Sequence, residues 1–200
     1  MPKPAINHRA IDDPELIAVL ASPLRQEIVD TLGAIGSDAS IAVLAQELGR
    51  HADGLYYHLK ILCKAGLVTE VDAADEEERR YRLAGASSDP LRLAYRTDSE
   101  AHVKALRKFT RGLLQVAEDD FGAALDMDGV VTEGAHRQLW AARNKAWLAK
   151  DELEEVNRLL ERLCEIMSRP RTPDRDQLLS CVFVLTPHAA LPKRRGTTVV

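Results

Sequence analysis

One stretch, residues 44–68 (LAQELGRHADGLYYHLKILCKAGLV), limits what this chain can fold into more than any other. Ile41, Leu44, Ala45 and Leu48 fall at i, i+3, i+4 and i+7, which is one face of a helix. Residues 49–51 supply a turn. Leu55, Leu59 and Leu62 then form a second apolar stripe at helical spacing. Gly66 stands where a left-handed residue would close that second helix, and residues 67–70 run extended after it. Two short helices joined by a tight turn are helix-turn-helix geometry. The second helix is of the kind that enters a DNA major groove.

The residues that follow sharpen the expectation. Leu67, Val68, Thr69 and Val71 favour a strand, and a polar turn comes next at 72–78. On the returning strand Tyr81 and Leu83 share one face, with Arg80 and Arg82 on the other. Helix, turn, helix, hairpin is a winged helix. Upstream, Ser22-Pro23 reads as a helix start, and Leu24, Ile28, Val29, Leu32 and Ile35 line an amphipathic face. A short helix before it starts at Asp13-Pro14. Residues 12–85 are expected to make one compact core.

Four motifs stand in order here: ASPLRQEIVDTL (21–32), LAQELG (44–49), YHLKILCKAGLV (57–68) and RRYRL (79–83). With them, residues 21–84 resemble the ArsR-type winged-helix transcription regulators of bacteria. The likeness covers about a third of the chain. It implies a homodimer on a palindromic operator, usually a repressor, often released from double-stranded DNA by a small-molecule effector. Winged helices also serve as interaction modules that never touch DNA. The alternative is therefore a winged-helix protein-interaction or small-molecule-sensing protein without specific DNA binding.

Composition bears on that choice. Residues 21–84 carry seven Lys/Arg against eleven Asp/Glu, a net of −4, where nucleic-acid binding normally shows a basic footprint. Four consecutive acids, residues 75–78, sit in the wing turn itself. Distribution over the surface matters more than the sum. The expectation is that the wing's arginines, not its tip, meet DNA. No stretch is apolar enough to span a membrane, and no signal peptide opens the sequence. Three widely spaced cysteines, Cys63, Cys164 and Cys181, suit a reducing cytoplasm better than a disulfide framework.

The recognition helix can be read residue by residue. With Leu55, Leu59 and Leu62 inward, Asp53, Tyr57, Lys60 and Lys64 lie opposite and Tyr56 lies on the flank. Tyrosines donate to phosphates or pack on thymine methyls, and lysines reach base edges or phosphates. His51 falls at the cap. His58 lies nearer the apolar stripe, where a partly buried histidine and a DNA contact are equal readings. Asp53 and Gly54 depart from the family, which often has Ser or Thr there. The candidate DNA-binding residues are Ser40, His51, Asp53, Gly54, Tyr56, Tyr57, His58, Lys60, Lys64, Arg79 and Arg80.

Metal sensing, common among ArsR-type proteins, is not expected. The helix IAVLAQELG lacks the paired cysteines some members place there. Asp98 and His102 share a helical face, but no further ligands stand near them. Cys63 is better read as a small residue at a core edge than as a redox switch. No cofactor is expected. No enzyme is expected either: there is no phosphate-binding glycine loop, paired carboxylate setting or supported Ser/His/Asp order.

The second half is expected to be a helical dimerisation and effector domain over residues 90–187. Residues 85–89 (GASSD) read as a linker. From Pro90 to about Ala124 a helix carries Leu91, Tyr95, His102, Leu106, Phe109, Leu113, Val116 and Phe121 roughly to one side. Leu106, Phe109, Leu113 and Val116 are its candidate dimer interface. Residues 126–134 form a loop, and 148–167 a helix with a stripe of Leu153, Val156, Leu159, Leu160, Leu163 and Met167. Residues 178–186 (LLSCVFVLT) read as a buried strand, which needs a partner for its backbone groups. Residues 136–147 are the favoured partner, with a helix as the other reading there. Trp140, Trp147 and Phe183 fill a core or, less often, line a pocket. Residues 1–11 and 190–200 read as flexible tails. The fold class is thus mainly α (α+β): an N-terminal winged helix-turn-helix, then a helical domain with a small antiparallel strand pair.

Overall fold

The structure is a computed structural model that describes residues 10–71, 79–85, 92–169 and 171–188. It is mainly α. Among the described residues six helices accompany a three-stranded sheet and one two-stranded pairing.

Helix α1 (Pro14–Leu20) starts as its sequence predicts. Asp13 is extended, its carboxylate accepts from the Glu15 N–H at 2.8 Å, and Pro14 follows at the first helical position. Helix α2 (Pro23–Ile35) uses Pro23 in the same way, but the Ser22 hydroxyl makes no cap bond. Gly36 closes α2 in the left-handed region at φ 74°, its N–H on the Leu32 carbonyl. Strand β2 (Ala39–Ser40) leads into α3 (Ile41–Glu47), and α4 (Ala52–Lys64) follows after the turn.

Both helix-turn-helix ends are set by glycine. At Gly49 (φ 61°) the N–H reaches the Gln46 carbonyl while the Arg50 N–H reaches Ala45. At Gly66 (φ 68°) the same pair of bonds runs to Cys63 and, from Leu67, to Leu62. These are Schellman closures, and they need a backbone that most L-residues adopt only with strain.

The wing is β3 (Val68–Val71) paired antiparallel with β4 (Arg80–Leu83), with Val68 opposite Leu83 and Val71 opposite Arg80. Strand β2 adds a third member on the other side of β4. Tyr81 is buried and Arg82 exposed, the alternation that a half-buried strand requires. The wing turn at 72–78 lies outside the described residues.

The core gathers Ile17, Leu20, Ile28, Leu32, Leu44, Leu55, Leu59, Leu62, Leu67, Val68 and Tyr81. It also takes in the next helix. Helix α5 (Glu100–Leu125) lies across α1 and α2, burying Ala105 in this cluster and packing Leu106 and Phe109 against it. Gly112 marks the close approach: a Cβ there would lie 2.5 Å from the Ala21 carbonyl oxygen and 2.9 Å from Gln26 Nε2.

The structure corrects several expectations. The long helix begins at Glu100, capped by Ser99 on the His102 N–H, rather than at Pro90. Arg92–Leu93 is instead a strand, β5, paired parallel with β1 (Ala10–Ile11). Tyr95 is therefore exposed and off the helix, while Pro90 and Leu91 lie outside the described residues, as do 86–89 of the expected linker. Ile11, expected in a flexible tail, is buried. Residues 1–9 and 189–200, the rest of the expected tails, lie outside the described residues. The expected strand pair of 136–147 with 178–186 is absent: both segments are irregular, with neither a ladder nor a helix. An apolar run reads as a strand only if something covers it, and Leu178, Leu179, Phe183 and Leu185 are all exposed. The last helix, α6 (Lys150–Met167), lies where the stripe predicts, but buries no residue. Its first turn is closed by Glu152, whose carboxylate takes the Ala149 N–H at 2.6 Å.

Candidate nucleic-acid interface

The exposed face of α4 is the outcome of how completely its other face is used. Leu55, Leu59 and Leu62 are fully buried, which fixes the helix's rotation. Asp53, Gly54, Tyr56, Tyr57, Lys60 and Lys64 are left in solvent, Tyr56 at 46% exposure and Tyr57 at 67%. Large aromatic side chains this open need a reason, and a partner surface supplies one. Among the described residues neither lysine is held in an ion pair with an acid. Nothing lies within 4 Å of where a Gly54 Cβ would stand, so the backbone itself is bare at the first turn.

His58 belongs to the flank. It packs edge-on against Tyr57, ring centroids 5.3 Å apart. Its Nδ1 is shielded from solvent and has no hydrogen-bond partner among the described residues. Burial, and then the charge of Arg25, hold its pKa below the ordinary histidine value. Arg25 was not singled out by the sequence reading, because on α2 it looks like a solvated helix charge. It is half-buried, donates from Nε to the Val19 carbonyl, and lies beside the recognition helix. Burial lowers its pKa, and the nearby Tyr57 phenol acts the other way.

The remaining candidates divide. His51 is the extended residue before α4, exposed, with no side-chain cap bond. Ser40 stands apart: it is buried and its hydroxyl caps α3 by accepting from the Val43 N–H at 3.3 Å. In the wing both arginines are already engaged. Arg79 lies 3.4 Å from Glu70. Arg80 pairs with the Asp38 carboxylate and holds the Asp38 carbonyl, tying β4 to the loop before β2. The Arg80 hydrogen bond holds the Asp38 carboxyl below the usual carboxylate range. Arg82 is exposed on β4, on the same face as Arg80.

Asp98 and His102, weighed as metal ligands, do not converge. Asp98 precedes the helix and pairs with Arg96, whereas His102 is buried with Nε2 2.7 Å from the Ala94 carbonyl. No group of three or more His, Cys, Asp or Glu among the described residues is arranged to hold a metal ion. Cys63 is half-buried, and burial raises its thiol pKa. Trp140, Trp147 and Phe183 neither fill a core nor share a cavity. All three are exposed, with the Arg137 guanidinium stacked 3.0 Å over the Trp140 ring. A cavity of about 370 Å³ does open elsewhere, between Ala34 and Ile35 of α2, the end of α6 and residues 174–179.

Residues 20–71 match the family model described as a helix-turn-helix domain, roughly a quarter of the chain. The chain carries a helix-turn-helix domain, and its β3–β4 hairpin makes it winged. No curated protein matches. Among solved structures, a doubly substituted variant of Lactococcus lactis ZitR is 13% identical, with 70% of this chain and 73% of that one covered at a TM-score of 0.27. The apo form of that variant is 16% identical, with 72% and 81% covered and the same TM-score of 0.27. Superpositions this loose carry no argument about function. No helix among the described residues is long and apolar enough to cross a membrane.

Proposed function

We propose that this protein is a DNA-binding transcriptional regulator of the ArsR type, a repressor that acts as a homodimer on a palindromic operator. The observation that carries the proposal is the face of α4 inside a helix-turn-helix. Tyr57, Lys60 and Lys64 are exposed opposite a fully buried leucine stripe, with Tyr56 exposed on its flank. A helix of this kind reads base edges with its outer side chains while the wing steadies phosphates. The winged helix (12–85) is the reading head, and residues 90–187 supply dimerisation and any response to a small-molecule effector. Such a protein works in the bacterial cytoplasm, with no cofactor and no catalytic step.

Two-fold assembly follows from the need for two recognition helices about one DNA turn apart. Helix α5 is the element proposed to join them. Leu106, Phe109 and Val116 pack largely within the chain, so the half-buried Leu113 and the exposed Leu114 and Leu125 are left for a partner. A mobility-shift titration on DNA from the protein's own promoter, at several salt concentrations, tests the whole reading. Saturable, sequence-dependent shifts are expected. Binding indistinguishable from that to random DNA would refute it.

One observation favours the second reading, a winged helix that binds protein. Arg79 and Arg80 are neutralised by Glu70 and Asp38, and the wing turn is acidic. On that reading the exposed tyrosines dock a protein partner, and the promoter titration gives only non-specific shifts.

A further inference from the structure

Helices α5 and α6 are joined by residues 126–149, none of which lies in a helix or strand. A connection this long without structure of its own is either a bare linker or a working segment. Its second half does not have a linker's composition. Residues 134–150 contain no acid, and Glu133 and Asp151 bound them. Inside that stretch stand Arg137, Arg143 and Lys145, with Trp140 and Trp147, the two tryptophans of the chain. Trp140 is largely exposed and Trp147 completely so. Every residue from Trp140 to Ala149 is exposed. Among the described residues, no backbone group from Leu139 to Leu148 bonds to another backbone group. We propose that this segment is an arm that grips the phosphate backbone of duplex DNA beside the site read by α4.

Charge selects the occupant. Residues 21–84 are net −4, and the wing's Arg79 and Arg80 already face Glu70 and Asp38. The winged helix therefore brings few free cations to a polyanion. The arm brings three. Among the described residues Arg137, Arg143 and Lys145 are held by no acid; Lys145 meets only His188, Nζ to Nε2 at 3.4 Å. Lys150 is not counted with them, because Glu154 lies 4.0 Å from it.

The tryptophans fit the same partner. The Arg137 guanidinium lies 3.0 Å over the Trp140 ring. Stacking on an aromatic face leaves the N–H edge of a guanidinium free, so Trp140 steadies the cation without using the donors that a phosphate takes. Trp147 adds an indole N–H donor. An extended chain rises about 3.3 Å per residue, so the stretch from Arg137 to Lys145 reaches up to about 26 Å. Charges on one DNA strand follow one another at about 3.4 Å along the axis, so the three cations meet separate phosphates. Contacts of this kind hold and orient a protein on the duplex without reading its sequence. The inference rests on the DNA-binding reading proposed above.

Tryptophan emission reports the arm alone, because both tryptophans lie in it. In the full-length chain, duplex DNA is expected to change that emission and to saturate the change at the ratio that saturates the mobility shift. Arg137→Ala, Arg143→Ala and Lys145→Ala together should leave the circular dichroism unchanged, since all three side chains are exposed. Affinity for promoter and for random duplex should fall by one common factor, roughly tenfold or more at low salt, and the slope of log affinity against log salt should flatten by about 2–3 units. Promoter binding with wild-type emission unmoved, or a triple variant that keeps the wild-type slope, overturns the arm and leaves the α4 reading standing. Emission that shifts with anionic phospholipid vesicles but not with DNA also overturns it, and gives the segment to a lipid surface. Binding that depends on the arm but shows no preference for the promoter keeps the arm and overturns the operator reading. A wild-type chain that binds no duplex at low salt overturns both.

Discussion

Replacing Gly112 by alanine is the sharpest test of how α5 is joined to the winged helix. In a free helix the change would stabilise by about 1 kcal/mol, since glycine is the weaker helix former. Here the new Cβ would stand 2.5 Å from the Ala21 carbonyl oxygen, 2.9 Å from Gln26 Nε2 and 3.2 Å from the Ala21 carbonyl carbon. Gln26 is buried and can shift only by loosening its 3.4 Å bond to the Phe109 carbonyl. Ala21 is buried backbone at the α1–α2 junction and cannot swing aside. Helix α5 must therefore back away from α1, and with it Ala105 and Val116. Overpacking of this kind costs about 1–3 kcal/mol, and a weakened buried hydrogen bond adds about 1 kcal/mol. After the propensity gain, a net loss of about 1–3 kcal/mol is expected. Urea unfolding followed by circular dichroism, at matched protein concentration because dimerisation contributes, reads it as a lower midpoint with an unchanged slope. A midpoint that rises would mean that α5 does not lie on the α1–α2 junction.

The other expectations are briefer. Lys60→Ala should leave the fold intact and weaken operator binding by about 1–3 kcal/mol; a folded mutant with unchanged affinity removes Lys60 from the interface. Gly54→Ala has open space around it, so thermal stability should rise while operator affinity falls if DNA comes close to the first turn; a rise in both refutes that approach. Replacing Arg79 and Arg80 together should lower affinity and flatten its salt dependence by about one unit of slope per lost phosphate contact, read by titration across salt concentrations. Asp30 reaches solvent yet stands crowded on α2, and that desolvation, then Asp120 and Glu27, push its pKa up to about 6. The folded state therefore holds more protons than the unfolded between about pH 4 and 6, and stability falls as pH rises through that window. Asp30→Asn should raise the urea midpoint at pH 7 and leave it unchanged near pH 4; no gain at pH 7 would refute the crowding.

What the sequence made legible follows the strength of local signals. The helix-turn-helix was readable because buried stripes and turn glycines agree over residues 41–68, and these were found where expected; His51 stands at the cap of α4 but makes no cap bond. The wing strands were readable because Tyr81 and Arg82 alternate as a half-buried strand must. The two-residue strands β1, β2 and β5 were not, since pairs of residues have no period. The start of α5 was misplaced because Leu91 and Tyr95 happen to continue its stripe. The pairing of Arg92–Leu93 with Ala10–Ile11 takes the place of the expected first turn, and that contact spans more than eighty residues. The run at 178–186 misled for a different reason. Apolar sequence reports a need for burial, not the partner that meets it, and in a single chain that need is unmet. On the face of α4 proposed to read DNA, exposure was predictable from the leucines alone. The engagement of Arg79, Arg80 and Ser40 was not, because Glu70, Asp38 and the Val43 N–H come into range only through the sheet and the cap.

Two consecutive residues connect the proposed dimer helix to the proposed reading helix. Gln26 is buried on α2 and donates to the Phe109 carbonyl of α5. Arg25, one residue earlier, lies beside Tyr57 and His58 of α4. Both side chains are anchored, Arg25 through its bond to the Val19 carbonyl, so neither can relax without disturbing the α1–α2 junction. That junction is also where Gly112 leaves no room for a methyl group. A tightly packed contact does not deform gradually; it holds one arrangement or gives way to another. A shift of α5 along α2 would act first on Gln26, the chain neighbour of Arg25. The α4 groups nearest Arg25 are Tyr57, exposed on the face proposed to read DNA, and His58, whose ring packs edge-on against it.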